Sequence, residues 1–96
     1  MSDSSKKHIS ELIKVYLKSF RMDGKIQEIK LVNDWEDLFG KTINRYTKSI
    51  KLHSGILYVY LSSSVLRQEL HYNRDTMKTK INEHFGETLI RDIVLR

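Results

Sequence analysis

The spacing of apolar residues predicts two helices in the first forty residues of the chain. Residues 8–22 place apolar side chains at 9, 12, 13, 16, 17 and 20, which is the spacing of an amphipathic helix. A second helical pattern covers residues 26–39 and includes the single tryptophan, Trp35. Asp23-Gly24 is predicted as the stop of the first helix and Gly40 as the end of the second, because glycine tolerates the left-handed conformation after a last turn.

The period of the pattern changes to two in the middle of the chain. Residues 41–47 are predicted to add a short helical turn, after which apolar and polar residues alternate over residues 50–53. Ser54-Gly55 supplies a turn, and residues 56–61 are rich in branched and aromatic side chains, so a β-hairpin is predicted. The two faces of its second strand are Leu57, Val59 and Leu61, directed to the core, and Ile56, Tyr58 and Tyr60 on the other side.

The last third of the chain predicts one long helix and a closing strand. A serine of Ser62–Ser64 caps a helix that runs to about Phe85, where Gly86 stops it, and residues 89–95 predict a short strand. The element order is therefore α-α-β-β-α-β. This order predicts an α+β fold of the KH-like kind, with helices packed on a small three-stranded sheet. We expect residues 1–7 to be a disordered tail and residues 8–96 to form a single domain.

Charge is concentrated in the middle of the chain. The net charge is +5, and residues 41–80 contribute eight basic side chains against Glu69 and Asp75, whereas residues 1–40 are balanced. Such a region can attract phosphate, although a basic solvated surface would give the same count. The chain has no cysteine, which excludes disulfides and a thiolate zinc site. No membrane span or signal-peptide apolar region is visible, so a cytoplasmic protein is expected.

Several basic residues are candidates for contact with nucleic acid. On one continuous helix, Arg67, His71, Arg74 and Lys78 would share a stripe beside the apolar one. Arg offers a planar fork of donors and Lys a mobile charge, so the stripe could follow a phosphate backbone, with Lys51 of the hairpin as a further contact. The alternative is an ordinary solvated face that Glu69 and Asp75 partly neutralise.

The aromatic residues allow two interpretations each. Tyr58 and Tyr60 share one face of a strand, where tyrosines can stack on single-stranded bases, or a helix can cover them. Trp35 lies among the apolar positions of its helix, beside an acidic cluster. Core packing is one role for it, and anchoring a protein partner is the other.

The sequence offers no positive sign of catalysis. The four histidines, at 8, 53, 71 and 84, form no metal-binding pattern, and no nucleophile elbow or glycine-rich phosphate loop is present. The Gly-x-x-Gly loop with which KH domains clamp a nucleic-acid backbone is also absent. We therefore expect no enzyme, no cofactor and no metal.

A set of residues distributed over the chain resembles the DciA-like family, long catalogued as a domain of unknown function. The resemblance covers about residues 9–96. It rests on Trp35, Phe39-Gly40, Thr47, Leu52-x-x-Gly-x-Leu-x-Val, Ser63-Ser64-x-Leu66-Arg67-x-Glu69-Leu70, Ile81-Asn82, Gly86 and the pair Ile90 and Ile93.

The resemblance implies a KH-like domain with a role in bacterial replication. Proteins of that family help the replicative helicase onto single-stranded DNA and bind DNA themselves. Many relatives carry a long flexible extension, whereas this sequence ends at Arg96 after the predicted last strand. Two alternatives stay open at this point: a protein-interaction module without direct nucleic-acid binding, and a KH-like RNA-binding protein. The residues do not distinguish single-stranded from double-stranded DNA.

Overall fold

A computed structural model of the protein describes residues 23–96. The tail predicted at residues 1–7 and the helix predicted at residues 8–22 lie outside the described residues. No helix in the described part is long and apolar enough to cross a membrane. The elements in chain order are α1 (Asp23–Phe39), α2 (Lys41–Tyr46), β1 (Thr47–His53), β2 (Ile56–Leu61), α3 (Ser64–Tyr72), α4 (Arg74–Phe85) and β3 (Asp92–Leu95).

The sheet has three strands in the order β1-β2-β3 and is mixed. β1 pairs with β2 antiparallel, with Lys51 opposite Tyr58, and β2 pairs with β3 parallel. Ser54 (φ 51) and Gly55 (φ 78) both have positive φ, as a type I′ hairpin turn requires. A parallel pair needs a long crossover, which α3 and α4 provide between β2 and β3. The predicted α+β fold is confirmed.

The core lies between the helices and one face of the sheet. Along β2, buried and half-buried residues alternate, because successive side chains point to opposite faces. The predicted inward set of Leu57, Val59 and Leu61 is buried, as expected. The other buried apolar residues of this single cluster are Leu31, Trp35, Leu38, Ile50, Leu70, Met77, Ile81, Ile90 and Ile93.

One predicted helix boundary is wrong, and another lies partly outside the described residues. α1 begins at Asp23, so Asp23 and Gly24 belong to this helix, whereas the end of the helix predicted at residues 8–22 lies outside the described residues. The helix predicted to run from the serines to Phe85 is broken at Asn73 into α3 and α4. Asn73 has φ −103 and ψ 16, and its side-chain amide donates to Glu69 O at 3.0 Å. An asparagine side chain can form hydrogen bonds with nearby backbone groups that compete with those of a helix, and this explains why α3 ends at Asn73.

Other boundaries match the predictions or shift by a few residues. Ser63 Oγ accepts the Leu66 N–H at 3.2 Å and caps α3. Gly86 ends α4 in the left-handed conformation, with φ 67. β3 begins at Asp92 rather than at residue 89. Before that strand, the Asn82 side chain accepts the Ile90 N–H and donates to Ile90 O, which holds the connection against α4.

Candidate nucleic-acid interface

The outward face of the hairpin brings together three of the predicted contact residues. Lys51 lies directly opposite Tyr58, and Tyr60 lies opposite Ser49 on the same face. Both tyrosines are half-buried and Lys51 is exposed. The core residues of the described helices lie against the other face of the sheet. The three residues are therefore neighbours on a sheet face that no described helix occupies. We call Lys51, Tyr58 and Tyr60 the tyrosine face.

A further cation, Arg96, joins the tyrosine face. Its guanidinium carbon lies 5.6 Å from the centroid of the Tyr58 ring, within the range of a cation–π contact. The backbone fixes this position, because Arg96 N–H donates to Val59 O and Arg96 O accepts the Leu61 N–H. Arg96 is not among the contact residues predicted from the sequence. The parallel pairing that places it beside β2 leaves no local signal in the sequence.

Arg67 and His71 lie together on α3, one turn apart. Arg67 Nη2 donates to Leu61 O at 3.2 Å, which ties the guanidinium to the end of β2. Arg67 Nε is buried and has no partner among the described residues. Both side chains line a shallow cavity between α3 and the end of β3. Arg67 is thus held in one orientation, whereas His71 is exposed.

Arg74 and Lys78 lie on α4, beyond the break at Asn73. Arg74 is half-buried at the start of the helix, and Lys78 Nζ lies 3.9 Å from Asp75 Oδ1. The predicted stripe of four residues required one uninterrupted helix. The structure instead divides it into a pair on α3 and a pair on α4, and only the first pair lines the cavity.

Trp35 lies in the core rather than at a surface. Its side chain is 0% exposed, and its Nε1–H donates to Thr47 Oγ1 at 3.0 Å. Thr47 in turn donates to Ile43 O at 2.6 Å, and the Phe39 ring packs edge-on at 4.6 Å. A side chain enclosed in this way offers a partner no contact area, so the structure favours the packing role over the partner-binding role.

The exposed cations of α2 and β1 extend the positive surface. Lys41, Arg45, Lys48 and Lys51 are all exposed. Within residues 23–96, the ion pairs lie elsewhere and none of them involves these four side chains. Lys48 sits where the register of β1 shifts, at a bulge. Cations without an ionic partner are the ones most available to phosphate.

Two carboxylates with lowered pKa hold the scaffold behind this surface. Burial tends to raise the pKa of Glu28, but the Leu52 N–H, donated at 2.9 Å, and Lys25 hold it below its usual value. Glu28 thereby occupies an edge position of β1 that would otherwise be open to strand pairing. The pKa of Asp34 is lowered chiefly by His84, whose Nε2 lies 2.8 Å from Asp34 Oδ2, and then by Lys30. This contact joins α1 to α4.

The fold and its surface define a class: a small α+β domain with a basic, aromatic sheet face and no grouping of potential metal ligands among residues 23–96. The family model described as "Dna[CI] antecedent, DciA" matches residues 8–95. The chain therefore belongs to the DciA family, and the resemblance seen in the sequence is confirmed. That family is one of helicase loaders and adaptors. Comparisons with curated proteins and with solved structures found no match.

Proposed function

We propose that this protein is a non-enzymatic DNA-binding adaptor that acts in the bacterial cytoplasm and assists loading of the replicative helicase. Family membership supports the helicase-related role. The observation that carries the DNA-binding part is the tyrosine face, where Lys51 lies opposite Tyr58 and the Arg96 guanidinium lies 5.6 Å from the centroid of the same ring. Rings on a sheet bind unpaired bases, and the cations beside them bind the phosphates between those bases.

Single-stranded DNA is the form that this geometry favours. A phenol ring reaches the flat face of a base only when the base is not stacked inside a duplex. The half-buried tyrosines are held by their neighbours in the sheet, so little side-chain entropy is lost on binding. Lys48, Lys51 and Arg45 supply further positive charge along the same segment of the chain.

The test is a titration of labelled oligothymidylate at about 50 mM salt, followed by fluorescence anisotropy. Tyr58→Ala should weaken binding by about 1–3 kcal/mol, whereas Tyr58→Phe, which keeps the ring, should bind almost normally. Lys51→Ala should reduce the salt slope by about 0.7. Lys30→Ala is the charge-matched control, because Lys30 lies on α1 and pairs with Asp34.

The outcomes separate the main alternatives. Absence of binding to any oligonucleotide at low salt would refute the DNA-binding role. Competition with single-stranded RNA of the same length tests the RNA-binding alternative, which would be favoured if RNA displaced DNA at lower concentration. Equal weakening by Lys30→Ala and Lys51→Ala would show that net charge, and not the tyrosine face, determines affinity.

A second candidate function, a protein-interaction module without direct nucleic-acid contact, is favoured by one observation on α1. Ile26, Ile29 and Val32 are 45%, 52% and 48% exposed and lie three residues apart, so they form one apolar stripe. Exposed apolar patches of this kind often mark protein contacts. If Ile29→Glu abolished capture of purified helicase from nuclease-treated solution, and DNA binding were absent, this second function would replace the first.

A further inference from the structure

A cavity of about 400 Å³ lies between α3 and the end of β3. This volume is near the lower end of the range of about 300–1,000 Å³ that is typical of small-ligand sites. None of the described residues that line it is acidic. They are Ser64, Arg67, Gln68, His71, Tyr72 and Leu95.

The cavity contains a pre-oriented cation. The bond from Arg67 Nη2 to Leu61 O fixes the guanidinium, and Nε is enclosed without a partner among the described residues. A guanidinium has five N–H donors, so this one still has donors to offer after the bond to Leu61. Because the side chain is already ordered, an anionic group that binds it costs little additional side-chain entropy.

The cavity also presents a flat aromatic surface. Tyr72 is 78% exposed, which is unusual for so large a side chain. The centroids of the Tyr72 and His71 rings are 6.2 Å apart. Leu95 adds an aliphatic wall, and Gln68 adds an amide that both donates and accepts. These groups match three features of a nucleotide: Arg67 matches the phosphate, Tyr72 and Leu95 match the planar base, and Gln68 matches the polar edge of the base.

Hydrogen bonds at the end of β2 connect the cavity to the tyrosine face. Arg67 binds Leu61 O, and the N–H of Leu61 donates to Arg96 O. The Arg96 guanidinium in turn lies over Tyr58. Contacts through Arg67, the backbone of Leu61 and Arg96 therefore link the cavity to the Tyr58 ring, which is proposed to stack on DNA.

We propose that this cavity binds one unpaired nucleotide of the same strand that contacts the tyrosine face. The base lies against Tyr72 and Leu95, with its edge hydrogen-bonded to Gln68, and the phosphate pairs with Arg67. Ser64 and His71 supply further polar contacts at the rim. This assignment rests on the proposed function and extends it, because it defines the path of the bound strand, which runs from β2 around the end of the sheet to α3.

The test uses the full chain and labelled oligothymidylate, with Tyr72→Ala and Tyr72→Phe as matched variants. Tyr72 is exposed, so neither change should alter the unfolding midpoint. We expect Tyr72→Ala to weaken binding by between about fivefold and about 150-fold, which corresponds to the loss of one stacked base. Tyr72→Phe should bind within about twofold of the unmodified protein. The salt slope should not change, because no charge is removed.

An oligonucleotide with a single abasic position tests the nucleotide directly. The abasic position is moved along the strand in a series of oligonucleotides. At one position it should weaken binding to the unmodified protein, and at that same position it should not further weaken binding to Tyr72→Ala. Normal affinity of Tyr72→Ala, together with weak binding by Tyr58→Ala, would overturn the cavity assignment and leave the proposed function intact. Loss of helicase capture by Tyr72→Ala with unchanged DNA affinity would also overturn it, in favour of a protein ligand. Failure of the unmodified protein to bind any oligonucleotide would instead refute the proposed function.

Discussion

The Asn82 side chain connects α4 to the backbone that precedes β3. Among residues 23–96, no other side chain of α4 forms a hydrogen bond with that backbone, so replacing Asn82 is the most direct test of the fold. Its Nδ2 donates to Ile90 O at 3.0 Å, and its Oδ1 accepts the Ile90 N–H at 2.9 Å. Ile90 is 1% exposed, so water cannot easily replace either bond. Asn82→Ala therefore leaves one buried donor and one buried acceptor unpaired.

The expected loss of stability follows from these two bonds. A neutral hydrogen bond contributes about 1 kcal/mol net, and a buried group left unpaired costs about 1–3 kcal/mol. The change should therefore lower the free energy of unfolding by at least about 2 kcal/mol. This is a large fraction of the roughly 5–15 kcal/mol of a typical domain. For a domain of this size, 2 kcal/mol corresponds to a decrease in Tm of roughly 8–16 °C.

Urea unfolding followed by tryptophan fluorescence measures this loss. Trp35 is the only tryptophan and is fully buried, so its emission reports the core without labelling. Asn33→Ala is the matched control, because Asn33 is an exposed helical asparagine and its replacement should not destabilise the protein. A decrease below about 0.5 kcal/mol for Asn82→Ala would refute the reasoning, because it would mean that the Ile90 backbone does not depend on this side chain.

Three further perturbations have defined outcomes. Gly55→Ala should destabilise the hairpin by about 1–2 kcal/mol in thermal unfolding, because Gly55 has φ +78 and its new Cβ would lie 2.8 Å from Arg91 Nε. Ser63→Ala should cost about 1 kcal/mol in the same assay, through loss of the cap on α3. The lowered pKa of Asp34, caused first by His84, means that its contribution to stability is present above the unfolded pKa of about 3.9 and is lost as pH falls through the lower folded pKa. Asp34→Asn should therefore flatten the acid limb of a plot of Tm against pH.

Each of these changes has a control in the same chain. Gly24→Ala lies in α1, and no atom of the described residues lies within 4 Å of the new Cβ, so it should stabilise the protein where Gly55→Ala destabilises it. Ser64→Ala leaves the capping hydroxyl in place, and a loss equal to that of Ser63→Ala would contradict the capping assignment. Asp37→Asn removes an exposed carboxylate of the same helix that makes no ion pair within residues 23–96. A flattened acid limb in that variant would show that charge number, and not the His84 contact, is responsible.

The hairpin is the part of the candidate site that local pattern predicted well. Alternation along residues 56–61 assigned Tyr58 and Tyr60 to the outward face, and the structure places them there. The alternation is reliable because a one-residue slip would bury the tyrosines and expose the leucines and the valine. The predicted capping by a serine and the stop at Gly86 succeeded for a similar reason, since both depend on neighbouring residues alone.

The helical part of the candidate site was predicted less well. Helical periodicity continues through Asn73 without interruption, so the spacing of Arg67, His71, Arg74 and Lys78 suggested one stripe. The break depends on where the Asn73 side chain finds its acceptor, a choice that spacing does not reveal. Arg96 was missed because its contact with Tyr58 arises from pairing between strands far apart in the sequence.

The sequence by itself determined the α+β class, the hairpin faces, the helix stops at Gly40 and Gly86, the basic middle region and the family. These features depend on period, on the conformational freedom of glycine, and on residue types that are close together in the chain. Tertiary structure alone decided that Trp35 is enclosed while Ile26, Ile29 and Val32 are exposed. It also brought Arg96 over Tyr58 and Leu95 beside Tyr72. The physical reason is that apolar pattern shows which residues avoid water, whereas only packing shows which face of a helix has a neighbour to cover it.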